Sequence, residues 1–310
     1  MIFKNINTFI FNMKITIIGA GYVGVNTCHN IAIKNIADDI ILVDINDTVK
    51  GKVIDLMQSK FIHNFKTNIH SVCDDNYDKC SNSDIIIITC GIARKPGMNR
   101  EDLFSTNYKI VKGVVDKLLQ VSPNSIYIVV TNPMDKILEM LNFNTNIPRS
   151  SLIGMGNILD TSRFKYHINQ ELINHNMEPS LNIKANVIGL HTDKDMIPLI
   201  NHAKVDGISV SSLFTKDILK KIVHDTKNGG RTITDLMGTS AYYAPAASIT
   251  EIVQCIINDS KKVLNCSTLL KGEYDIHDKC IGVPVMIGKN GIEKIMNYDL
   301  DDEDLFDLQK

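Results

Sequence analysis

The stretch KITIIGAGYVG, Lys14 to Gly24, decides the fold of this chain. Residues 15–18 form an apolar run broken only by Thr16, and Gly19-Ala20-Gly21-Tyr22-Val23-Gly24 follows it without a gap. A G-x-G-x-x-G pattern alone arises by chance in many loops. Directly after a strand and at the head of a helix, over residues 23–33, it has a physical use. The first glycine permits a tight turn and the second lets a phosphate approach the backbone. The third lets helix and strand pack closely, while the helix N-terminus offers N–H groups and a positive dipole end. The competing reading is a plain strand-to-helix turn. Asp44 weighs against it, because it lies 20 residues after Gly24 at the end of the next strand. There a carboxylate accepts hydrogen bonds from an adenosine ribose and repels a 2′-phosphate, which favours NAD over NADP.

Outward from this turn, β-branched runs at residues 14–18, 40–44, 84–89 and 125–131 alternate with helical patterns, one of them over 102–121. Near-continuous Ile and Val in such runs fit strands buried on both faces of a parallel sheet. Asn132-Pro133 ends the fourth run and opens a helix, since proline is tolerated at a helix start. Beyond residue 150 the rhythm becomes mixed. Helices are expected after Asn157, over 214–228 and over 239–257, with a strand ending near Leu190-His191 and two more near 268–274 and 280–287. The acidic stretch 299–307 reads as a short solvated helix. The expectation is α/β: a doubly wound parallel (Rossmann) domain over 13–150, then a mixed α+β substrate domain over 151–310, with 1–12 as an N-terminal tail. Met13 is an alternative start.

The 310 residues carry a formal charge of −2, with 44% hydrophobic and 22% charged residues, which excludes disorder and a dedicated nucleic-acid binder. No apolar run is long enough to span a membrane. The seven cysteines include no CxxC pair, so they read as reduced thiols of a cytoplasmic protein, and the nine histidines show no metal-ligand spacing.

Three segments carry chemistry beyond the strand ends. The loop 93–100, ARKPGMNR, holds Arg94 and Arg100 six residues apart in a stretch marked by Gly91, Pro96 and Gly97, a lid that brings guanidinium groups to an acid. The helical LDTSR places Asp160 and Arg163 on one face, where an intrahelical ion pair is the plain explanation. The third is GLHTD, at the mouth of a buried strand. A lone histidine is more often structural, but His191 becomes a general base if Asp160 reaches its second ring nitrogen.

Taken in order, GAGYVG, Asp44, CGIARKPGMNREDL, VTNPMD, ILDTSRF, GLH and GTSAYYAPAAS resemble the lactate/malate dehydrogenase family, closest to the malate-type enzymes of its lactate-dehydrogenase-like branch. The resemblance implies NAD as cofactor, no metal, and reversible hydride transfer between malate and NAD+ giving oxaloacetate and NADH. It implies a small-molecule substrate, no nucleic-acid or membrane partner, and a homodimer or homotetramer. His191 matches the proton acceptor and Asp160 its orienting partner. Arg163 matches the carboxylate-gripping arginine, Arg100 the lid arginine, and Asn132 the amide between substrate oxygen and nicotinamide. Gly19, Gly21, Gly24, Asp44, Asn107, Thr131 and Asn132 match cofactor positions. Arg94 occupies the specificity position, with Ala241 expected across the same pocket. Burying a second carboxylate without a cation, or an arginine over a methyl group, costs several kcal/mol, so arginine there selects a C4 diacid. Where the family has glycines beside the histidine, this chain has Leu190 and Thr192, the segment 192–196 is one residue longer, and Cys90 replaces an alanine. Two alternatives follow: an L-lactate dehydrogenase, and a catalytically silent NAD-binding homologue.

Overall fold

In the computed structural model, which describes residues 13–74, 76–93 and 100–310, the opening stretch forms strand β1 (Lys14–Ile18) and helix α1 (Tyr22–Ile33) on either side of the glycine turn. The expected tail 1–12 and the lid position Arg94 lie outside the described residues. The chain continues through β2 (Asp39–Val43), α2 (Thr48–His63), β3 (Asn68–Val72), β4 (Ile85–Ile88) and α3 (Arg100–Val121). It then forms β5 (Ile126–Val129), α4 (Met134–Asn144) and β6 (Leu152–Gly154). These six strands run parallel in the order β3-β2-β1-β4-β5-β6, the doubly wound arrangement whose ligand crevice opens beyond the carboxyl ends of the strands. Ile85 to Ile88 are all fully buried because helices cover both faces.

The second half comprises α5 (Asn157–Asn174), β7 (Ile183–Lys184), β8 (Val187–Gly189), β9 (Met196–Pro198), β10 (Lys204–Val205), β11 (Ile208–Ser209) and α6 (Val210–Leu213). After these come α7 (Lys216–Met237), α8 (Tyr243–Ile257), β12 (Lys262–Lys271), β13 (His277–Gly288), β14 (Gly291–Ile295) and α9 (Asp302–Gln309). The two halves share one sheet, because β12 pairs with β6 at Ser267 and Gly154, and β13, β8 and β9 continue outward, antiparallel. The strand that ends at the histidine is thereby tied to the strands that carry the glycine turn.

Several elements differ from the sequence expectation, each for a physical reason. Helix α7 runs to Met237, well past residue 228, through Gly229 and Gly230. Two glycines cost a helix about 1 kcal/mol each relative to alanine, but here they make room for Arg163, described below. Helix α8 begins at Tyr243, four residues later than expected, because Gly238 closes α7 in the left-handed conformation (φ +67°). Pro245 then falls in the first turn, where its missing N–H has no helical partner to lose. Strand β12 starts six residues early. Its polar Asn265, Ser267 and Thr268 are buried between β6 and β13, which hides a strand that reads as half polar. Helix α2 and edge strand β3 were not expected, since α2 buries only Val49 and Val53 and β3 alternates around exposed Asn68 and His70. Finally, α9 is not simply a solvated helix. Leu308 is buried in the main core, and Asp301 caps the helix by accepting the Asp304 N–H at 2.9 Å.

Candidate active site

Two glycines of the turn have a steric reason. Gly19 takes φ +102°, and a β-carbon there would lie 2.8 Å from the Cys90 nitrogen. A β-carbon on Gly24 would run into the Gly19 carbonyl oxygen. At Gly21 the same position faces open space, and no side chain caps the first turn of α1, so its N–H groups are left for an anion. The donor set therefore suits a pyrophosphate. Asp44, at the carboxyl end of β2, does more than the sequence reading asked. Its Oδ2 accepts the Ala20 N–H at 2.7 Å and its Oδ1 the Asn46 N–H at 3.0 Å, so it also pins the turn. Lys52 of α2 donates to the Ala20 carbonyl at 2.7 Å. Tyr22 stacks on Tyr242 at 5.0 Å between ring centroids, joining the turn to the approach of α8.

Beyond the ends of β4 and β5, Thr131 donates to the Cys90 carbonyl at 2.6 Å. Asn107, reached from α3, is buried. Its Oδ1 accepts the Ile92 N–H at 2.8 Å, and its Nδ2 donates to the carbonyls of Asn132 at 2.8 Å and Ile92 at 3.1 Å. The Asn107 amide is thus committed to holding the base of the 93–100 loop against Asn132. Asn132 itself is exposed at the cleft.

A cleft of about 1180 Å³ opens at this edge, and Thr131, Asn132, Arg163, His191 and Ala241 all line it. Gly156 ends the approach to α5, and Asp160 falls in that helix's first turn, where the dipole favours a carboxylate. Asp160 is fully buried, and both its oxygens are used. Oδ2 meets His191 Nδ1 at 2.6 Å, and Oδ1 accepts from Arg163 Nη1 at 2.9 Å. The ion pair offered as the plain explanation exists, and the same carboxylate also holds the histidine. A desolvated charge with two such partners is compensated. The Arg163 side chain lies against α7, where β-carbons at positions 229 and 230 would come within 3.2 and 3.4 Å of it.

His191 follows β8 on a turn that Gly189 enters at φ +89°. Thr192 and Asp195 bond one another reciprocally, by hydroxyl to carboxylate at 2.6 Å and N–H to hydroxyl at 3.0 Å, so the 192–196 segment closes on itself. Leu190 is half-buried and packs against the main core. Leu190 and Thr192 leave the imidazole against Asp160. Burial opposes charging the ring, but the Asp160 charge and hydrogen bond, with Asp135 adding to them, outweigh it and raise the His191 pKa above the ordinary value. Asp135, whose carboxylate accepts the His191 backbone N–H at 2.7 Å, was missed by sequence reasoning. The available signal was an acid three residues past Asn132, at the head of a helix starting from a strand's carboxyl end. The side chain of Arg100 lies outside the described residues, as does Arg94.

Comparison with known proteins agrees with this geometry. Residues 13–154 match the lactate/malate dehydrogenase NAD binding domain, and residues 158–310 match the lactate/malate dehydrogenase alpha/beta C-terminal domain. A malate dehydrogenase of Flavobacterium johnsoniae is 44% identical over 293 residues, covering 94% of this chain and 93% of the relative. The malate dehydrogenase structure from Salinibacter ruber superposes with a TM-score of 0.88 at 37% identity, covering 96% of this chain and 93% of that one. The Cryptosporidium parvum lactate dehydrogenase, solved with lactic acid and nicotinamide adenine dinucleotide, gives 0.89 at 31% identity, with 96% and 93% covered. With both domains matched in order and a histidine–aspartate pair in the cleft between them, the chain belongs to the lactate/malate dehydrogenase family.

Proposed function

We propose that this chain is an NAD-dependent L-malate dehydrogenase, interconverting malate and NAD+ with oxaloacetate and NADH. The observation that carries the reading is the 2.6 Å contact between His191 Nδ1 and buried Asp160, in the cleft beyond the glycine turn. Gly19, Gly21, Gly24, Asp44, Thr131 and Asn132 would hold the dinucleotide, which when bound would supply the hydride acceptor. Asn107 serves it indirectly, through Asn132. Asp160 occupies Nδ1, so Nε2 is the nitrogen left to take the hydroxyl proton. The Asp160 charge stabilises the imidazolium that results. Arg163 grips the carboxylate shared by all 2-hydroxy acids, and Arg100 polarises the carbonyl oxygen as the loop closes and excludes water. Arg94 is the group to pair the second carboxylate, and the small Ala241 leaves room for it in the cleft. Residues 13–150 form the nucleotide-binding unit and 151–310 the substrate unit.

The lactate dehydrogenase reading is disfavoured by Arg94, and the silent-homologue reading by the undisturbed His191–Asp160 pair. The discriminating assay follows NADH absorbance with purified protein and a panel of 2-oxo acids. Oxaloacetate is expected to be preferred, and in Arg94→Gln its kcat/KM falls at least ~100-fold while pyruvate turnover improves. A wild-type preference for pyruvate of tenfold, about 1.4 kcal/mol, overturns the assignment. Tight NADH binding without any turnover favours the silent homologue.

We also infer a cytoplasmic homodimer or homotetramer. Exposed Ile54, Phe61 and Ile62 on α2 support self-association. All seven cysteines are free, as suits a reducing compartment, and no helix among the described residues is long and apolar enough to cross a membrane.

A further inference from the structure

Asp135 lies in the first turn of α4, three residues after Asn132, and it crosses from the first half of the chain to the histidine of the second. It is 9% exposed, its Oδ2 accepts the His191 backbone N–H at 2.7 Å, and its Oδ1 and the buried Ser267 hydroxyl that faces it find no other partner among the described residues. The groups facing it are His191, Asp160 of α5, the Ser267 hydroxyl of β12 and the Cys280 thiol of β13. The imidazole in turn faces Asp160, Asp135 and Arg163.

Holding one backbone N–H requires only a neutral acceptor such as asparagine. A buried carboxylate is a costly way to do it, and burial raises the Asp135 pKa despite the Ser267 hydroxyl and the His191 N–H that face it. The cost makes sense if the charge itself is used. We propose that Asp135 is a positioning residue for the reaction. It fixes the His191 backbone at a set distance from Asn132, so that a single turn of chain sets both the proton acceptor and the amide beside the nicotinamide. It also lends a second negative charge to the imidazolium, beside that of Asp160. This rests on the malate dehydrogenase reading above.

The test is steady-state kinetics across pH in both directions, on the full chain and on Asp135→Asn and Asp135→Ala, with NADH affinity measured in parallel. Asparagine keeps an acceptor and removes the charge. In Asp135→Asn the pH limb of oxaloacetate reduction moves to lower pH, with NADH affinity within about twofold of wild type. Asp135→Ala adds the loss of the backbone anchor, and kcat falls about 100-fold, the scale of an ångström-sized misplacement. An unmoved limb in Asp135→Asn overturns the proposal, as does NADH affinity falling in step with kcat in both variants. A wild-type chain that turns over no oxaloacetate sinks the underlying reading instead, so the two failures are distinguishable.

Discussion

Gly156 lies so close to His191 that a β-carbon on it would stand 2.8 Å from both Cβ and Cγ of the histidine. The same atom would stand 2.7 Å from Met134 Cε, but a methionine tip can swing aside. The imidazole can move only by leaving Asp160. Gly156→Ala is therefore expected to lower kcat about 100-fold through displacement of the ring, with a stability loss of about 1–3 kcal/mol from overpacking. NADH affinity should stay near wild type, since the glycine turn is not involved. Kinetics, a denaturation curve and an NADH titration check this together, and unchanged kcat refutes the steric role.

His191 is the titrating group of the proposed chemistry, and its pKa is raised because Asp160, aided by Asp135, overcomes the effect of burial. Oxaloacetate reduction needs the imidazolium, so its rate falls as pH rises through that pKa. Malate oxidation needs the neutral ring, so its rate rises over the same interval. Both limbs are expected above the unperturbed histidine value of about 6.5. In His191→Asn the limbs disappear and kcat drops about 10²–10⁴-fold, with NADH still bound. A reduction limb centred below that value contradicts the electrostatic account.

Asp44 combines two tasks that different substitutions separate. Asp44→Asn retains an acceptor for the Ala20 N–H and loses the charge that repels a 2′-phosphate. NADPH binding should improve while NADH binding changes little. Asp44→Ala releases the turn as well, a loss of roughly 1.5–3 kcal/mol for a hydrogen bond to a charged group, so NADH binding weakens more than tenfold. Fluorescence titration with both reduced cofactors reads the two effects. An unaltered preference in Asp44→Asn argues that selectivity lies elsewhere.

At the other end of the chain, burial and neighbouring Asp301 push the Asp304 carboxyl up to about 6, with His202 opposing them. The folded state binds this proton more tightly than the unfolded state, so ionising Asp304 costs stability above about pH 6. The cost is relieved as pH falls through that value and is gone below the ordinary carboxylate pKa. Asp304→Asn should raise Tm at neutral pH, with the gain vanishing on acidification. A gain independent of pH points to a cause other than ionisation.

Much of the site was legible because its signals are local. The glycine turn, the run of isoleucines in β4 and the i, i+3 pair of Asp160 and Arg163 are each written within a few consecutive residues. Asp44, spaced from the turn by one βα unit, is nearly so. The elements misread were those whose character depends on neighbours. Polar β12 is a strand because β6 and β13 bury it, and α7 passes two glycines because Arg163 of α5 occupies their space.

The order of motifs along the chain determined the class of fold, the nucleotide turn and the identity of the reactive groups, since steric limits on backbone and periodic burial act over short stretches. Tertiary structure alone decided that Asp160, 31 residues before His191, meets its Nδ1, and that Asp135, 56 residues before it, holds its backbone. Those contacts join α4, α5 and the turn after β8, brought together by strands from both halves of one sheet. Hydrogen bonds act only over about 3 Å, and no spacing in the sequence encodes that distance.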